Sequence, residues 1–261
     1  MNTTVMNSPA PHPTHGVAIA GKLLVFPALL FVLWVAGAQW LPYAIASPSD
    51  TWAAFLHGVN RGWMKKELIT TLTATFLSFV IATVAGVGFS IAVALNRFWA
   101  EVWEPVLIWL YSVPKIVLYP IILMLFGISS STSVAFGVVN SVLPVAFILF
   151  GVIGNMPSIY MKVARTYGLG RWQSFWQIVM PVAGPSIVTA ARLAFCLSFL
   201  AVVVAEMLGS RQGLGQELFK AVALNEVGRI FAIAVVLSII AVAVNALFLV
   251  TEHLLFRNRR A

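Results

Sequence analysis

Six long apolar runs separated by short polar stretches constrain this chain more than any other feature of its 261 residues. They lie near Leu23–Trp40, Leu68–Leu95, Val106–Phe126, Val134–Gly154, Ser186–Leu208 and Ile230–Leu255. Each supplies roughly the 20 mainly apolar residues that a helix needs to cross the hydrocarbon of a bilayer. Backbone groups left unpaired in lipid cost several kcal/mol each, so runs of this kind must be helical. Hydrophobic residues make up 61% of the chain and charged residues 9%, where a soluble domain carries about 25% charged residues. Such a chain cannot cover itself in water. The expected fold is all-α, a polytopic membrane protein with six transmembrane helices in one domain, because no polar stretch is long enough for a second one.

The expected organisation is a disordered cytoplasmic tail over residues 1–21, a transmembrane domain over 22–256 and a basic cytoplasmic tail over 257–261. Pro9, Pro11 and Pro13 favour disorder in the first of these. Ala36-Gly37-Ala38 follows Lys22 and a short apolar core as a signal-peptidase site would. Five further spans make an even count, however, and an uncleaved first helix is expected. With both termini inside, Lys22, Arg97, Lys162, Arg165, Arg171, Arg257, Arg259 and Arg260 lie in the cytoplasm. Arg61, Lys65, Lys66, Arg211, Lys220 and Arg229 then lie outside, among the acids Asp50, Glu67, Glu217 and Glu226. Eight against six is a small asymmetry. The cluster Arg257-Asn258-Arg259-Arg260 decides, because it directly follows a span, where basic residues resist translocation. The net charge of +8 is spread over span ends rather than gathered on one face, which points to membrane anchoring and away from nucleic acid. The single cysteine, Cys196, excludes an intrachain disulfide and is expected as a small packed side chain.

One polar stretch stands out: Lys162–Pro181, KVARTYGLGRWQSFWQIVMP. Ser158–Tyr167 can form a short helix after Pro157, ended by Gly168, since glycine tolerates the left-handed conformation that commonly closes a helix. Gly170 keeps the link flexible, and Arg171–Val179 can form a second short helix before Pro181. Arg165 and Arg171 supply charge, and Trp172, Phe175, Trp176 and Ile178 supply apolar surface. From the residues alone, two readings stand: an amphipathic segment resting on lipid headgroups, or a compact knob that docks a partner.

The spacing of this stretch resembles the coupling motif of ABC importer permeases, E-A-A-x3-G-x9-I-x-L-P. Ala164, Gly168, Ile178 and Pro181 fall in the matching places, while Lys162, Val163 and Met180 stand where Glu, Ala and Leu are usual. Three other segments carry the same resemblance. Ser47-Pro48-Ser49-Asp50-Thr51-Trp52 is similar to a P-S-P-x-x-x-W stretch, and Val113-Pro114-Lys115 with Tyr119-Pro120 and Phe126-Gly127 to P-x-x-A-x-x-P-L-x-x-x-x-F-G. Ala205-Glu206-Met207-Leu208-Gly209 with Gly213-Leu214-Gly215 is similar to A-E-M-x-x-x-x-x-G-L-G. Together they resemble the nitrate/sulfonate/taurine-type branch of the binding-protein-dependent transport inner-membrane family, from Ser47 to the C-terminus.

The resemblance implies a type I ABC importer permease fold, multi-pass in a bacterial inner membrane. It implies a cytoplasmic ABC ATPase dimer as partner, a second and identical permease subunit, an extracytoplasmic solute-binding protein and a small-molecule solute. No cofactor is expected on this chain, with ATP and Mg on the partner ATPase. Coupling to that ATPase is expected from Lys162, Val163, Ala164, Arg165, Gly168, Arg171, Ile178 and Pro181.

Three residues are candidates for the solute path: Lys115, Asn140 and Glu206. Lys115 stands about nine residues into its span, about 14 Å deep, where an ionisable group is costly and marks function. It could attract an anionic solute, pair with a helix carbonyl, which Pro114 could free, or snorkel towards an interface. Glu206 lies roughly 30 Å along a helix from Pro185, at the outer boundary. It could seal an outer gate or meet the binding protein, or hydrogen-bond the Gly209–Gly215 turn. Asn140 and Asn245 are expected as interhelical hydrogen-bond partners, Arg192 as a snorkelling base, and Ala190, Ala191 and Ala194 as close helix contacts. No catalytic constellation and no metal site are expected, since His12, His15, His57 and His253 are scattered. Gly16–Lys22 has the outline of a phosphate loop but is followed by Leu23 rather than Ser or Thr. The alternative function, an ion-gradient-driven secondary transporter, calls for acids near mid-membrane, and the sequence offers none there.

Overall fold

The computed structural model describes residues 14–94 and 96–256. Among them the chain is helical, in the order α1 (Thr14–Trp40), α2 (Pro48–Asn60), α3 (Trp63–Ala94), α4 (Arg97–Ser112), α5 (Tyr119–Phe126) and α6 (Ser130–Gly154). There follow α7 (Ser158–Thr166), α8 (Arg171–Ser174), α9 (Met180–Gly209), α10 (Leu214–Ala223) and α11 (Val227–Phe256). Four segments are long and apolar enough to cross a membrane: α3, α6, the run Phe175–Gly209 and α11. A fifth exists if α4 and α5, which meet at 82°, form one bent span, and the apolar part of α1 is the shorter Pro27–Trp40.

Several expectations change. The span placed at Val106–Phe126 is broken, because Pro114 has no N–H for the carbonyl of Leu110 and its ring disfavours a helical residue before it. Val113 is accordingly extended, with φ −68° and ψ 126°. The disorder expected through Gly21 stops earlier, since α1 starts at Thr14. No proline lies between Pro13 and Pro27 to stop it. Residues 1–13 and the basic tail 257–261 lie outside the described residues. Asp50 sits in the first turn of α2, where its N–H donates to Ser47 Oγ at 3.1 Å. That is an N-cap with Pro48 at the first helical position, an arrangement proline favours because its missing N–H costs nothing there.

The core is the packing of α3, α6 and α9, and small residues make it. Ser78 Oγ donates to its own helix at Ala74 O (2.7 Å) and across to Val134 O on α6 (3.1 Å). Ser90 repeats this twelve residues later, to Gly86 O (2.8 Å) and Ala146 O (2.9 Å). Because both numbers rise together, α3 and α6 run parallel. The opposite pairing holds for α9, which meets α6 at Ser198–Ser141, 2.8 Å between hydroxyls, and buries Ala190 and Ala194 against Val145 and Leu149 lower down. A Cβ on Gly137 would come within 2.5 Å of Ser78 Oγ, and one on Gly86 within 2.7 Å of Val145. Without a hydrophobic driving force between helices in lipid, this close approach and these hydroxyl bridges are what hold the bundle. Ala190 and Ala194 are fully buried, as expected of close contacts.

The bundle has two distinguishable ends. One carries α2, α10 and the start of α11, where Gly228 approaches the backbone of Asp50 and Trp34 of α1 stacks on Phe231 at 6.0 Å. The other carries α7, α8 and the end of α11, where Phe256 packs on Gly184.

Candidate coupling segment and translocation path

At the second end the chain leaves α6 and forms α7 over Ser158–Thr166, within one residue of the helix expected there. Gly168 closes it at φ +63°. Its N–H donates to Arg165 O at 3.1 Å, and that of Leu169 to Ala164 O at 2.9 Å. These two reversed bonds form a Schellman motif, which satisfies the last carbonyls of the helix. Ala164 is buried, while Lys162, Val163 and Arg165 stand exposed. The motif glutamate position thus presents an exposed lysine. Gly170 N–H is held by Gln173 Oε1 at 3.0 Å, which orders the link where flexibility was expected.

The second short helix does not end before Pro181. Arg171–Ser174 is one α-helical turn, Phe175–Val179 is a π-helical turn, and α9 continues through Pro181 to Gly209. Proline inside a regular helix would strike the carbonyl of Gln177, four residues back. The widened turn, with Met180 N–H on Phe175 O, shifts the ladder by one residue and lets the helix pass the proline. Phe175 and Val179 are buried with Ile153 and Ala183, and Ile178 is half-buried. The segment is therefore rooted in the bundle and continuous with a spanning helix. The side chain of Arg171 lies outside the described residues.

At the first end Glu206 is enclosed, 1% exposed. Its Oε2 accepts from Thr71 Oγ1 (2.8 Å) and from Gly215 N–H (3.0 Å). Thr71 Oγ1 in turn accepts from Leu214 N–H (2.8 Å), and Glu67 Oε2 accepts from Gly213 N–H (2.5 Å). The first free N–H groups of α10, which carry the positive end of its dipole, thus rest on two carboxylates and a hydroxyl. Of the two readings of Glu206, its geometry matches the one that hydrogen-bonds the Gly209–Gly215 turn. The spacing of the two glycines follows from this cradle. Gly213 has φ +107°, and a Cβ there would sit 2.1 Å from the Glu206 carboxyl carbon. A Cβ on Gly215 would sit 2.3 Å from Val203 O.

Glu67 and Thr71 were not singled out in the sequence. Their signal was available: an acid and a hydroxyl four apart at the start of an apolar helix share one face. Glu217, in the first turn of α10, is also buried and pairs with Lys220 at 2.8 Å and with Arg229. Arg229 also reaches Glu226 at 3.0 Å and lies 4.5 Å over the ring of Trp63. These contacts tie α3, α10 and α11 together. Tyr119 brings the Tyr-Pro motif to the same region, donating to Ala205 O at 3.0 Å.

Lys115 sits directly after the break in α4–α5. Its Nζ donates to Tyr111 O at 3.2 Å and lies 4.8 Å over the Tyr111 ring. Pairing with a helix carbonyl, one of the expected roles, is what the geometry shows, at the last turn of α4. Among the described residues Asn140 and Asn245 make no side-chain hydrogen bond, contrary to the expectation of interhelical partners. Asn245 is exposed and shares a cavity of about 430 Å³ with Arg192, Thr189 and Cys196. Cys196 is exposed rather than packed.

A family model described as the binding-protein-dependent transport system inner membrane component matches residues 84–260. The chain belongs to that family. This inner membrane component is 25% identical over 230 residues to the glycine betaine/carnitine transport permease protein of Listeria monocytogenes serotype 1/2a (strain 10403S), covering 86% of this chain and 80% of that one. It is 22% identical over 243 residues to the putative aliphatic sulfonates transport permease protein of Bacillus subtilis (strain 168), covering 92% and 88%. To the taurine transport system permease protein of Escherichia coli (strain K12) it is 25% identical, covering 75% and 69%. Among solved structures it is similar to an inward-facing MetNI methionine ABC transporter, with TM-score 0.61 and 18% identity over 72% of this chain and 92% of that one. An amino acid ABC transporter gives TM-score 0.59 and 20% identity, covering 78% and 98%. The inner membrane component therefore has the type I importer permease fold and is a multi-pass membrane protein.

Proposed function

We propose that this permease serves an ATP-driven importer, docks a cytoplasmic ATPase through residues 157–181, and passes a small solute delivered by an extracytoplasmic binding protein. A second copy of the chain completes the path, and ATP hydrolysis belongs to the partner. The observation that carries this reading is the exposed α7, closed by Gly168 and joined by a turn through Gly170 to α8, which runs on into α9. A force on α7 moves α9, whose far end holds Glu206 and hence the start of α10. Closure of the ATPases then favours one packing of the bundle and their opening the other, a two-state bias rather than a signal along a wire.

Gly168→Val tests the docking role. No atom lies within 4 Å of the position its Cβ would take, so the cost is the left-handed backbone alone, about 1–2 kcal/mol or more for a β-branched residue. The expected result is reduced recovery of the ATPase with the tagged permease and lost uptake, at near-normal amounts in the membrane. Gly168→Asn, which tolerates that conformation, retains both. Wild-type ATPase recovery and uptake in Gly168→Val refute docking through this segment.

A further inference from the structure

The break between α4 and α5 lies at mid-depth in the bundle. Tyr111, before it, stacks on Phe147 at 5.5 Å, and Tyr119, after it, meets Phe136 at 5.3 Å. Both partners are on α6, eleven residues apart, with α6 extending beyond each. The break at Val113–Pro114, flanked by Ser112 at the end of α4 and by Lys115 at the start of a 3-10 turn, therefore sits between two levels that are about 16 Å apart along a spanning helix. Yet Ser112, Val113 and Pro114 are exposed on the chain, and Lys115 is half-exposed.

Irregular backbone at this depth does not face lipid, because its polar groups would go unpaired; it is either packed in protein or lines water. The lysine decides between these. Beside the Tyr111 ring, one hydrogen bond to Tyr111 O leaves two of its three donors without a hydrogen-bond partner among the described residues. An apolar neighbour packed over them would desolvate a charge, whereas water would hydrate it. Broken helices with polar groups at the break are how other membrane folds offer a solute a site near the midplane. We propose that Ser112–Lys115 lines the aqueous path of the permease and that the Lys115 ammonium makes this point of the path selective for anionic groups. The proposal rests on the transporter reading above and adds a place and a charge preference to it.

The test uses a Cys196→Ser background with Val113→Cys, in membranes that contain the assembled complex. The probes are two water-soluble thiol reagents, anionic methanethiosulfonate ethylsulfonate and cationic methanethiosulfonate ethyltrimethylammonium. Both should label residue 113, and Lys115→Gln should lower the anionic-to-cationic rate ratio by roughly tenfold, as expected for a charge some 6 Å away in water-like surroundings. Lys115→Arg should keep the ratio and shows that the change is not misfolding. Labelling of 113 only by lipid-permeant N-ethylmaleimide overturns the aqueous placement. An unchanged ratio in Lys115→Gln overturns the charge preference. Either failure with the ATPase still co-purifying leaves the transporter reading intact, whereas an unmodified chain that recovers no ATPase fails that reading itself.

Discussion

Thr71→Val removes one oxygen and keeps the shape of the side chain, and it should release the start of α10. Thr71 is fully buried, and its Oγ1 serves two bonds of 2.8 Å, donating to Glu206 and accepting from Leu214 N–H. The valine leaves a buried N–H without an acceptor, which costs about 1–3 kcal/mol, and removes a bond to a carboxylate worth about 1.5–3 kcal/mol. Glu206 keeps Gly215 N–H, so about 3 kcal/mol in total is the reasonable sum. Local opening at α10 should become easier by that amount, which is on the order of a hundredfold in amide exchange at Leu214 and Gly215. Hydrogen–deuterium exchange by mass spectrometry on the purified permease reads this directly. Thr71→Ser keeps the hydroxyl and should cost only the methyl group, about 1 kcal/mol. Exchange in Thr71→Val within threefold of the unmodified protein, or equal to that of Thr71→Ser, would refute the capping account.

Gly213→Ala should be less stable than Thr71→Val, because a methyl group 2.1 Å from the Glu206 carboxyl carbon must push that side chain out of its cradle; lower thermal stability in detergent measures it. Lys162→Glu should weaken transport-linked ATP hydrolysis with the native ATPase, and an acid-to-base change on the facing ATPase surface should restore part of it, as a double-mutant cycle would show. Reporter fusions after Phe150–Met161 and at the C-terminus should report the cytoplasm, and one after Gln212 the exterior; an exterior report near Lys162 would sink the coupling role with the topology. Gly137→Leu should abolish assembly, since even a Cβ there lies 2.5 Å from Ser78 Oγ; loss of folded permease by size-exclusion chromatography checks this.

Hydropathy and backbone preference are properties of a residue and its neighbours within a turn or two, so the sequence by itself settled what depends on them. It settled the helical membrane class, the exposed segment after α6 and the left-handed Gly168, whose role follows from having no Cβ. The same locality misled it at proline. Hydropathy puts Pro114 inside one span, which it breaks, and local preference makes Pro181 a helix end, whereas a π-helical turn absorbs it. Which outcome a proline gives depends on whether neighbouring helices hold the chain straight, as the cluster of Ile153, Phe175, Val179 and Ala183 does. Only the tertiary structure decided what Glu206 does, because its partners lie 135 residues away at Thr71 and nine residues on at Gly215, and Glu67 joins across 146. Those distances in sequence are closed by Ser78, Gly86, Ser90 and Gly137, which bring α3 against α6, and by Ser141 and Ser198, which bring α6 against α9. A buried carboxylate must find donors wherever that register puts them, and no local rule states where that is.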